Sequence, residues 1–441
     1  MAGVSAAARV SPARACAYAV VRRVFEEGAY ADRAFHAQAQ ELSGRERAFA
    51  MALAYGTVQR RATLDHVAAQ LTDRPLARLE PAVLAALRLG LMQILLLDGV
   101  ADHAAVHESV ELAKRHSRAS AGLVNAVLRR ATREGPAILG ALDDVTPERA
   151  AILHSVPVWL AQLWWRELGE AGARAQLASI NAPAESALRV NTLVASPAAV
   201  AAELDVATRP AAALPEGLVI DEPFDAYASA AWARGAIMPQ SRGSMTVARA
   251  LAPEPGERVL DLCAAPGAKT THLAALMGDR GALVAVERHP GRAAALRRTL
   301  QRMHVSCAAV EVGDAAALAI EPTYDRVLVD PPCSGLGTLQ SRPDLRWRTS
   351  PERIAELAGL QARVLSAGAA ATAPGGTLVY SVCTISSAEG EQVVDRFLRE
   401  QADFAPEPAP GAGADAPYLQ LTPADDGTDG FFIARLRRAD S

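Results

Sequence analysis

The stretch RVLDLCAAPGAKTTHLAALM, residues 258–277, decides how this chain is read. Arg258–Leu262 is a short apolar run suited to a buried strand, and Thr270–Met277 repeats apolar residues at helical spacing. Between them, Cys263-Ala-Ala-Pro-Gly-Ala-Lys269 is a turn of small residues that opens directly into the helix. A turn without bulk lets a ligand reach the backbone and the helix N-terminus, whose first N–H groups have no partner within the helix. The turn is neither GxGxxG nor GxxxxGK(S/T), which argues against a dinucleotide fold and a P-loop.

Downstream, strands and helices alternate. Ala282–Glu287 reads as a strand, Arg292–His304 as a helix, and Ala308–Val312 and Tyr324–Asp330 as strands. Ser350-Pro351 opens a helix bearing Ile354, Leu357, Val364 and Leu365. Thr377–Val382 is a strand, Glu391–Arg399 a helix, and Phe431–Leu436 a closing strand. Such alternation predicts a Rossmann-like α/β domain over 241–441, with a doubly wound, mostly parallel sheet. Ligands of such sheets sit at the carboxyl ends of the strands.

Those strand ends carry chemistry. Glu287 ends the second strand, 20 residues after Gly267, where an acid accepts from ribose hydroxyls. Asp314 follows the third strand and suits an adenine amine. A turn and two ordered acids without a diphosphate cradle favour S-adenosylmethionine over NAD. Its expected site is Cys263, Ala264, Ala265, Pro266, Gly267, Ala268, Lys269, Glu287, Asp314 and Asp330. The fourth strand runs into Asp330-Pro-Pro-Cys333-Ser-Gly335, the fifth into Ser381-Val-Cys383-Thr384. Neighbouring strand ends lie roughly 5 Å apart, so Asp330, Cys333 and Cys383 should share one cleft. A thiol beside positive charge becomes a nucleophilic thiolate, and Lys269 is the nearest such charge. A single cysteine is more often an inert small hydrophobe, the reading given to Cys16 and Cys307.

Residues 1–140 read as all-helical. Ser43-Gly-Arg-Glu46 matches a capping box, with Phe49 and Leu53 following. Leu84, Leu87, Leu91 and Leu95 fall on a segment apolar nearly all round, which describes a buried central helix. Val106, Val110 and Ala113 mark another helix, as do Val124, Val127 and Leu128. His103 and His107 are four apart, but HESVE is not HExxH and no third ligand is evident, so they read as surface or cap residues. Residues 141–240 form a transition: a helix starting at Thr146-Pro147, another near Arg174–Ile180, then strand-like runs at Ala187–Val190 and Leu218–Ile220. This suggests linker helices and a small α+β module. Ala195–Pro215 is Ala-rich and carries little signal.

The composition bounds the rest. Of 441 residues, 50% are hydrophobic and 21% charged, which excludes disordered and collagenous classes. No apolar run reaches the roughly 18–20 residues of a membrane helix, and MAGVSAAARVSPARA has no secretory core. The five cysteines form no CxxC pair, so neither a metal site nor a disulfide framework is expected. A cytoplasmic, monomeric protein follows. The net charge of −4 hides an asymmetry: residues 1–135 carry 18 Lys and Arg against 13 Asp and Glu, whereas 400–430 carry seven acids and no base. A mildly basic face is compatible with RNA, although most such charge is simply solvated. Lysine occurs only at 114 and 269, against 43 arginines. A surviving lysine suggests a place where a compact ammonium is needed.

DLCAAPGAKTTHLA, DPPCSG, the cysteine after VYSV and the ending DGFFIARL together resemble the RNA cytosine-5 methyltransferases of the Nol/Nop/Sun family. Arg189-Val-Asn191 and Pro239-Gln240 extend the resemblance upstream. The N-terminal text, with ARACAYAVVRRVFEEGAYADRAF, LAYGTV, HAAVHESVELAKRH and GLVNAVLRR, resembles NusB. The combination is similar to the branch of the family that acts on 16S ribosomal RNA. Departures from the family pattern fall at Ala268, Pro331, Val382, Thr384 and Gly390. The resemblance implies a NusB-like RNA-binding domain over 1–140, an RNA-binding α+β module within 141–240 and a catalytic domain over 241–441. It further implies methyl transfer to carbon 5 of a single-stranded or flipped cytosine. Cys383 would be the nucleophile, Cys333 the residue aiding proton loss and release, Asp330 the contact to the base, and Lys269 the charge that lowers a thiolate pKa. A transfer-RNA substrate is one alternative. The others are a non-catalytic RNA-binding or antitermination factor and a nicotinamide-dependent dehydrogenase; the four site residues argue against the former, the missing GxGxxG against the latter.

Overall fold

The structure is a computed structural model and describes residues 10–317, 323–413 and 416–440. The chain divides into two compact units, Met1–Asn181 with Leu339–Arg348, and Ala182–Thr338 with Thr349–Ser441.

The first unit is helical. Helices Pro12–Glu26, Gly44–Gln59, Asp102–Lys114 and Arg118–Gly140 surround Pro81–Leu95, on which Leu87, Leu89 and Leu91 are all buried. Of the leucine repeat, Leu87 and Leu91 are buried and Leu84 and Leu95 half-buried; the buried surface also takes in Gln93 and Arg88, which pairs with Asp65. The capping box departs from expectation: Ser43 occupies the N-cap, but its hydroxyl accepts nothing from the first turn. Arg47 instead bonds the Ala39 carbonyl at 2.8 Å, and burial of Ala50, Leu53 and Ala54 seats the helix. Among the described residues, no helix is long and apolar enough to cross a membrane, and no group of His, Cys, Asp or Glu could hold a metal ion.

Leu339–Arg348 belongs to this unit although it follows the Cys333 loop in sequence. Arg346 in it is fully buried. Its guanidinium donates to the carbonyls of Gln59, His154, Ser155, Ile180 and Leu339 and to the Asn181 side chain, at 3.1–3.4 Å. Trp347 donates its indole N–H to Val58 at 2.7 Å.

The second unit holds two sheets. The smaller joins β1 (Ser186–Val190), β2 (Thr208–Ala211), β3 (Leu214–Ile220) and β4 (Ile237–Pro239) in the order β2-β3-β1-β4, all antiparallel. The Ala-rich stretch without signal supplies β2 and the helix Pro197–Glu203; alanine blurs the helical period, and β2 is four residues long with Pro210 inside it.

The larger sheet contains β5 (Arg258–Leu262), β6 (Ala282–Glu287), β7 (Ala308–Val312), β8 (Tyr324–Val329), β9 (Thr372–Val382), β10 (Phe404–Glu407), β11 (Leu419–Leu421) and β12 (Phe431–Arg438). Its path is β10-β12-β9-β8-β5-β6-β7, with β11 pairing β12. The five strands from β9 to β7 are parallel, and β12 joins antiparallel. Alternate residues face opposite sides: Val259, Leu328 and Val379 pack with helices Arg242–Leu251 and Ala268–Leu276, while Leu260, Val327 and Leu378 pack with Pro351–Ala371 and Glu391–Glu400. Helices on both faces make the sheet doubly wound. β9 begins five residues earlier than expected, because Gly375 (φ +67°) and Gly376 carry an irregular start that reads as a break in the sequence.

Candidate active site

The turn after β5 is shaped by position 267. Gly267 has φ +104°, a conformation that favours glycine, and a Cβ there would sit 2.6 Å from the tip of the Leu296 side chain. The turn closes by Gly267 N–H on the Ala264 carbonyl and Ala264 N–H on Val286, each at 2.9 Å, and Arg292 donates to the Ala265 carbonyl at 2.6 Å. Helix Ala268–Leu276 starts at once.

Beside this turn lies a cleft lined by Cys263, Val286, Glu287, Asp314 and Pro332, among others. Three of the residues expected at a cofactor site, Cys263, Glu287 and Asp314, thus meet in one place. Glu287 is buried and accepts from the His289 N–H at 2.8 Å. Asp314 is more exposed and accepts from the Ala316 N–H at 3.1 Å. Burial, with Asp330, Asp261 and Glu287 adding, pushes the Cys263 thiol up to about 12. Asp261, not singled out in the sequence, is buried at the end of β5 and accepts from the Thr270 hydroxyl at 2.6 Å. Burial raises it to about 7, against the hydrogen bond's opposing effect.

Lys269 and Asp330 lie with the cysteines rather than in the cleft lining. The Lys269 ammonium is 2.8 Å from Asp330 Oδ2 and 5.1 Å from the Phe431 ring centre. The other oxygen, Oδ1, accepts from the Ser381 hydroxyl at 2.9 Å. Burial alone would lower the lysine's pKa, but Asp330's charge and hydrogen bond, with Cys383 and Asp261 adding, raise it overall. The sulfurs of Cys333 and Cys383 are 3.1 Å apart. The Cys333 thiol is held well above its ordinary value, first by its hydrogen bond to Cys383, then by burial, then by the charges of Cys383, Glu389 and Asp330.

The small sheet reaches the same turn. Arg189 on β1 is fully buried and donates to Gln240 at 2.8 Å, to Thr271 at 2.7 Å and to the Ala268 carbonyl at 3.3 Å. Burial pushes its pKa down to about 9. Asn191 donates to the carbonyls of Gly235 and Met303. Of the upstream motif residues, Arg189, braced by Gln240, therefore fastens the start of the helix that carries Lys269, while Asn191 ties the small sheet to the end of helix Pro290–Arg302. Sequence reasoning assigned no role to Ser381, Asp261 or Glu389. Gly390 has a local reason: a Cβ there would lie 2.9 Å from the Phe432 ring.

Comparison with known proteins shows the family. Residues 248–437 match the family model for 16S rRNA methyltransferase RsmB/F, 11–133 match the NusB family, and 156–227 match the ferredoxin-like domain of RsmF/B-like methyltransferases. A probable ribosomal RNA small subunit methyltransferase B from Synechocystis is 37% identical, covering 97% of this chain and 99% of its own. The ribosomal RNA small subunit methyltransferase B of Thermus thermophilus is 36% identical over 90% of each chain. The crystal structure of PH0851 superimposes with a TM-score of 0.83 at 26% identity, covering 98% of this chain and 99% of that one. With the parallel sheet, the small-residue turn and both cysteine loops in place, the chain belongs to the RsmB/F family of 16S rRNA methyltransferases, with a NusB domain at its N-terminus.

Proposed function

We propose that this protein transfers a methyl group from S-adenosylmethionine to carbon 5 of a cytosine in 16S ribosomal RNA through a covalent bond to Cys383. The observation that carries the reading is the pair of sulfurs 3.1 Å apart beside the Lys269–Asp330 ion pair. The cleft suits the cofactor. Glu287 offers a buried carboxylate for ribose hydroxyls, Asp314 an acceptor for the adenine amine, and the Cys263–Ala268 turn lets the ligand approach the backbone. When bound, S-adenosylmethionine supplies the methyl group on an electrophilic sulfonium.

The protein's own groups do the rest. Carbon 5 of cytosine is a poor nucleophile until a thiolate adds to carbon 6. Cys383 makes that addition, with the Lys269 ammonium favouring its thiolate. Asp330, held by Lys269 and Ser381, faces the base at ring nitrogen 3 or its amine and steadies charge as addition proceeds. Cys333 then removes the carbon 5 proton, and Cys383 leaves by β-elimination. The order of events has a physical basis. The hydrogen bond and charge of Cys383 are two of the three leading causes that hold Cys333 protonated, and both vanish once the Cys383 sulfur is bonded to carbon. Cys333 therefore gives up its own proton more readily after attack, and the thiolate so formed takes the carbon 5 proton, while burial and the charges of Glu389 and Asp330 still act on it.

The target is single-stranded or flipped, since carbon 6 is inaccessible in a stacked helix. Methylation of unmethylated 16S ribosomal RNA and of transfer RNA, followed by bisulfite mapping, tests the reading. One modified cytosine in 16S RNA, lost in Cys383→Ala, is the expected result. Modification confined to transfer RNA, or full activity in Cys383→Ala, would overturn it.

A further inference from the structure

Glu389 follows Cys383 by six residues and is completely buried. Four hydrogen bonds converge on its carboxylate. Oε1 accepts from the Ser334 backbone N–H at 2.8 Å and from the Gln361 amide at 3.0 Å; Oε2 accepts from the Thr384 hydroxyl at 3.3 Å and from the Ser334 hydroxyl. Its backbone carbonyl accepts from the Tyr380 hydroxyl at 2.6 Å. Gln361 also donates to the Pro332 carbonyl at 3.0 Å. Ser334 follows Cys333, and Thr384 follows Cys383. One side chain thus grips the residue after each cysteine, and the two gripped hydroxyls are themselves 2.9 Å apart.

All four donors to the carboxylate are neutral. Burying a carboxylate among neutral groups is costly, and the cost is recovered only if every lone-pair direction finds a donor. A carboxylate only accepts, so it directs a backbone N–H, an amide and two hydroxyl protons toward one point. We propose that Glu389 is a positioning residue for methyl transfer: through Ser334 and Thr384 it locks the Cys333 and Cys383 loops in one register, so that both sulfurs address the same carbon–carbon bond of the base. The catalytic consequence rests on the two-cysteine reading above; the structural link does not.

The test uses the full chain and two readouts. The first is the rate at which diamide, a two-electron oxidant that takes up both thiol protons, joins Cys333 to Cys383, followed by mass spectrometry. The second is methyl transfer, separated into kcat and KM. Glu389→Ala should slow thiol closure at least about tenfold and lower kcat by roughly 10–100-fold, with KM little changed, because the reacting groups are misplaced while the binding surfaces are intact. Glu389→Gln should restore most of both, since its amide oxygen can take the Ser334 and Gln361 donors and its nitrogen can donate to the two hydroxyls. If Glu389→Ala does not unfold cooperatively, Ser334→Ala combined with Thr384→Val breaks the same link and must slow closure. Wild-type closure and kcat in Glu389→Ala, or wild-type closure in the double variant, overturn the proposal. Full methyl transfer by Cys383→Ala would sink the two-cysteine reading instead, and closure rates would still judge Glu389.

Discussion

Cys333 and Cys383 bring their sulfurs to 3.1 Å although fifty residues separate them. The cause is strand register. β8 and β9 pair in parallel with Val329 opposite Tyr380, so Asp330 and Ser381 are next in line and bond at 2.9 Å. Each chain then runs on for a few residues, and the two thiols arrive together.

That juxtaposition gives the two cysteines separable phenotypes. Cys383→Ala should abolish methylation and any covalent RNA adduct. Cys333→Ala should still attack and methylate but retain its product, giving a slow-migrating band on a denaturing gel with RNA and S-adenosylmethionine. The opposite pattern would exchange the two roles, and near-normal turnover in both variants would reduce the pair to packing.

Glu287→Ala should weaken S-adenosylmethionine binding by about 1.5–3 kcal/mol, the scale of a hydrogen bond to a charged group. The carboxylate is already oriented by the His289 N–H, so little of that is spent on ordering it. Titration calorimetry on the folded variant decides, and an unchanged affinity would remove Glu287 from the ribose.

A buried histidine predicts acid sensitivity. His272 Nε2 lies 2.7 Å from Glu216 Oε1, and Arg249 pairs with the same carboxylate. Burial, outweighing the Glu216 hydrogen bond, pushes the imidazole down to about 4 from its ordinary 6.5. Between those values the unfolded chain takes up this proton before the folded one does. Stability should therefore fall as pH drops from about 6.5 to about 4, by up to about 3 kcal/mol. His272→Gln should flatten that window in denaturation curves recorded across it; parallel pH profiles for both proteins would contradict a neutral imidazole.

Arg346→Ala should cost about 3 kcal/mol or more, because several backbone carbonyls lose their shared donor in a buried place. Urea unfolding followed through Trp347 fluorescence measures it. A change within error would mean water replaces the guanidinium.

The basic N-terminal region should contribute RNA affinity that declines with salt, since phosphate contacts release counterions. A salt-independent affinity would assign its arginines to solvation alone.

Much of this was legible because chemistry follows immediately on strands. Ala282–Glu287 and Ala308–Val312 stand out as apolar runs bounded by polar and glycine-containing stretches. Asp330 and Cys383 come directly after a strand, Cys333 four residues after one, and Lys269 in the first turn of the helix that follows β5. Ser381 and Glu389 were given no role for the opposite reason: they are ordinary polar residues, and the partners that reveal their roles, Asp330 and Ser334, lie more than fifty residues away. Asp261 was hidden inside an otherwise apolar strand. Arg346 looked like one more arginine among 43, because a cation satisfied by carbonyls leaves no acidic counterpart to find.

The placement of Leu339–Arg348 also has a consequence for biosynthesis. Residues up to Asn181 leave the ribosome about 160 residues before this segment does, which at about 5–20 residues per second is a delay of roughly ten to thirty seconds. Throughout that interval the Ser155 carbonyl lacks the Arg346 guanidinium and the Val58 carbonyl lacks the Trp347 indole, their side-chain donors in the finished unit. The helical unit is thus completed late, by a segment translated after the Cys333 loop, and a chain truncated before residue 339 would leave it permanently unfinished.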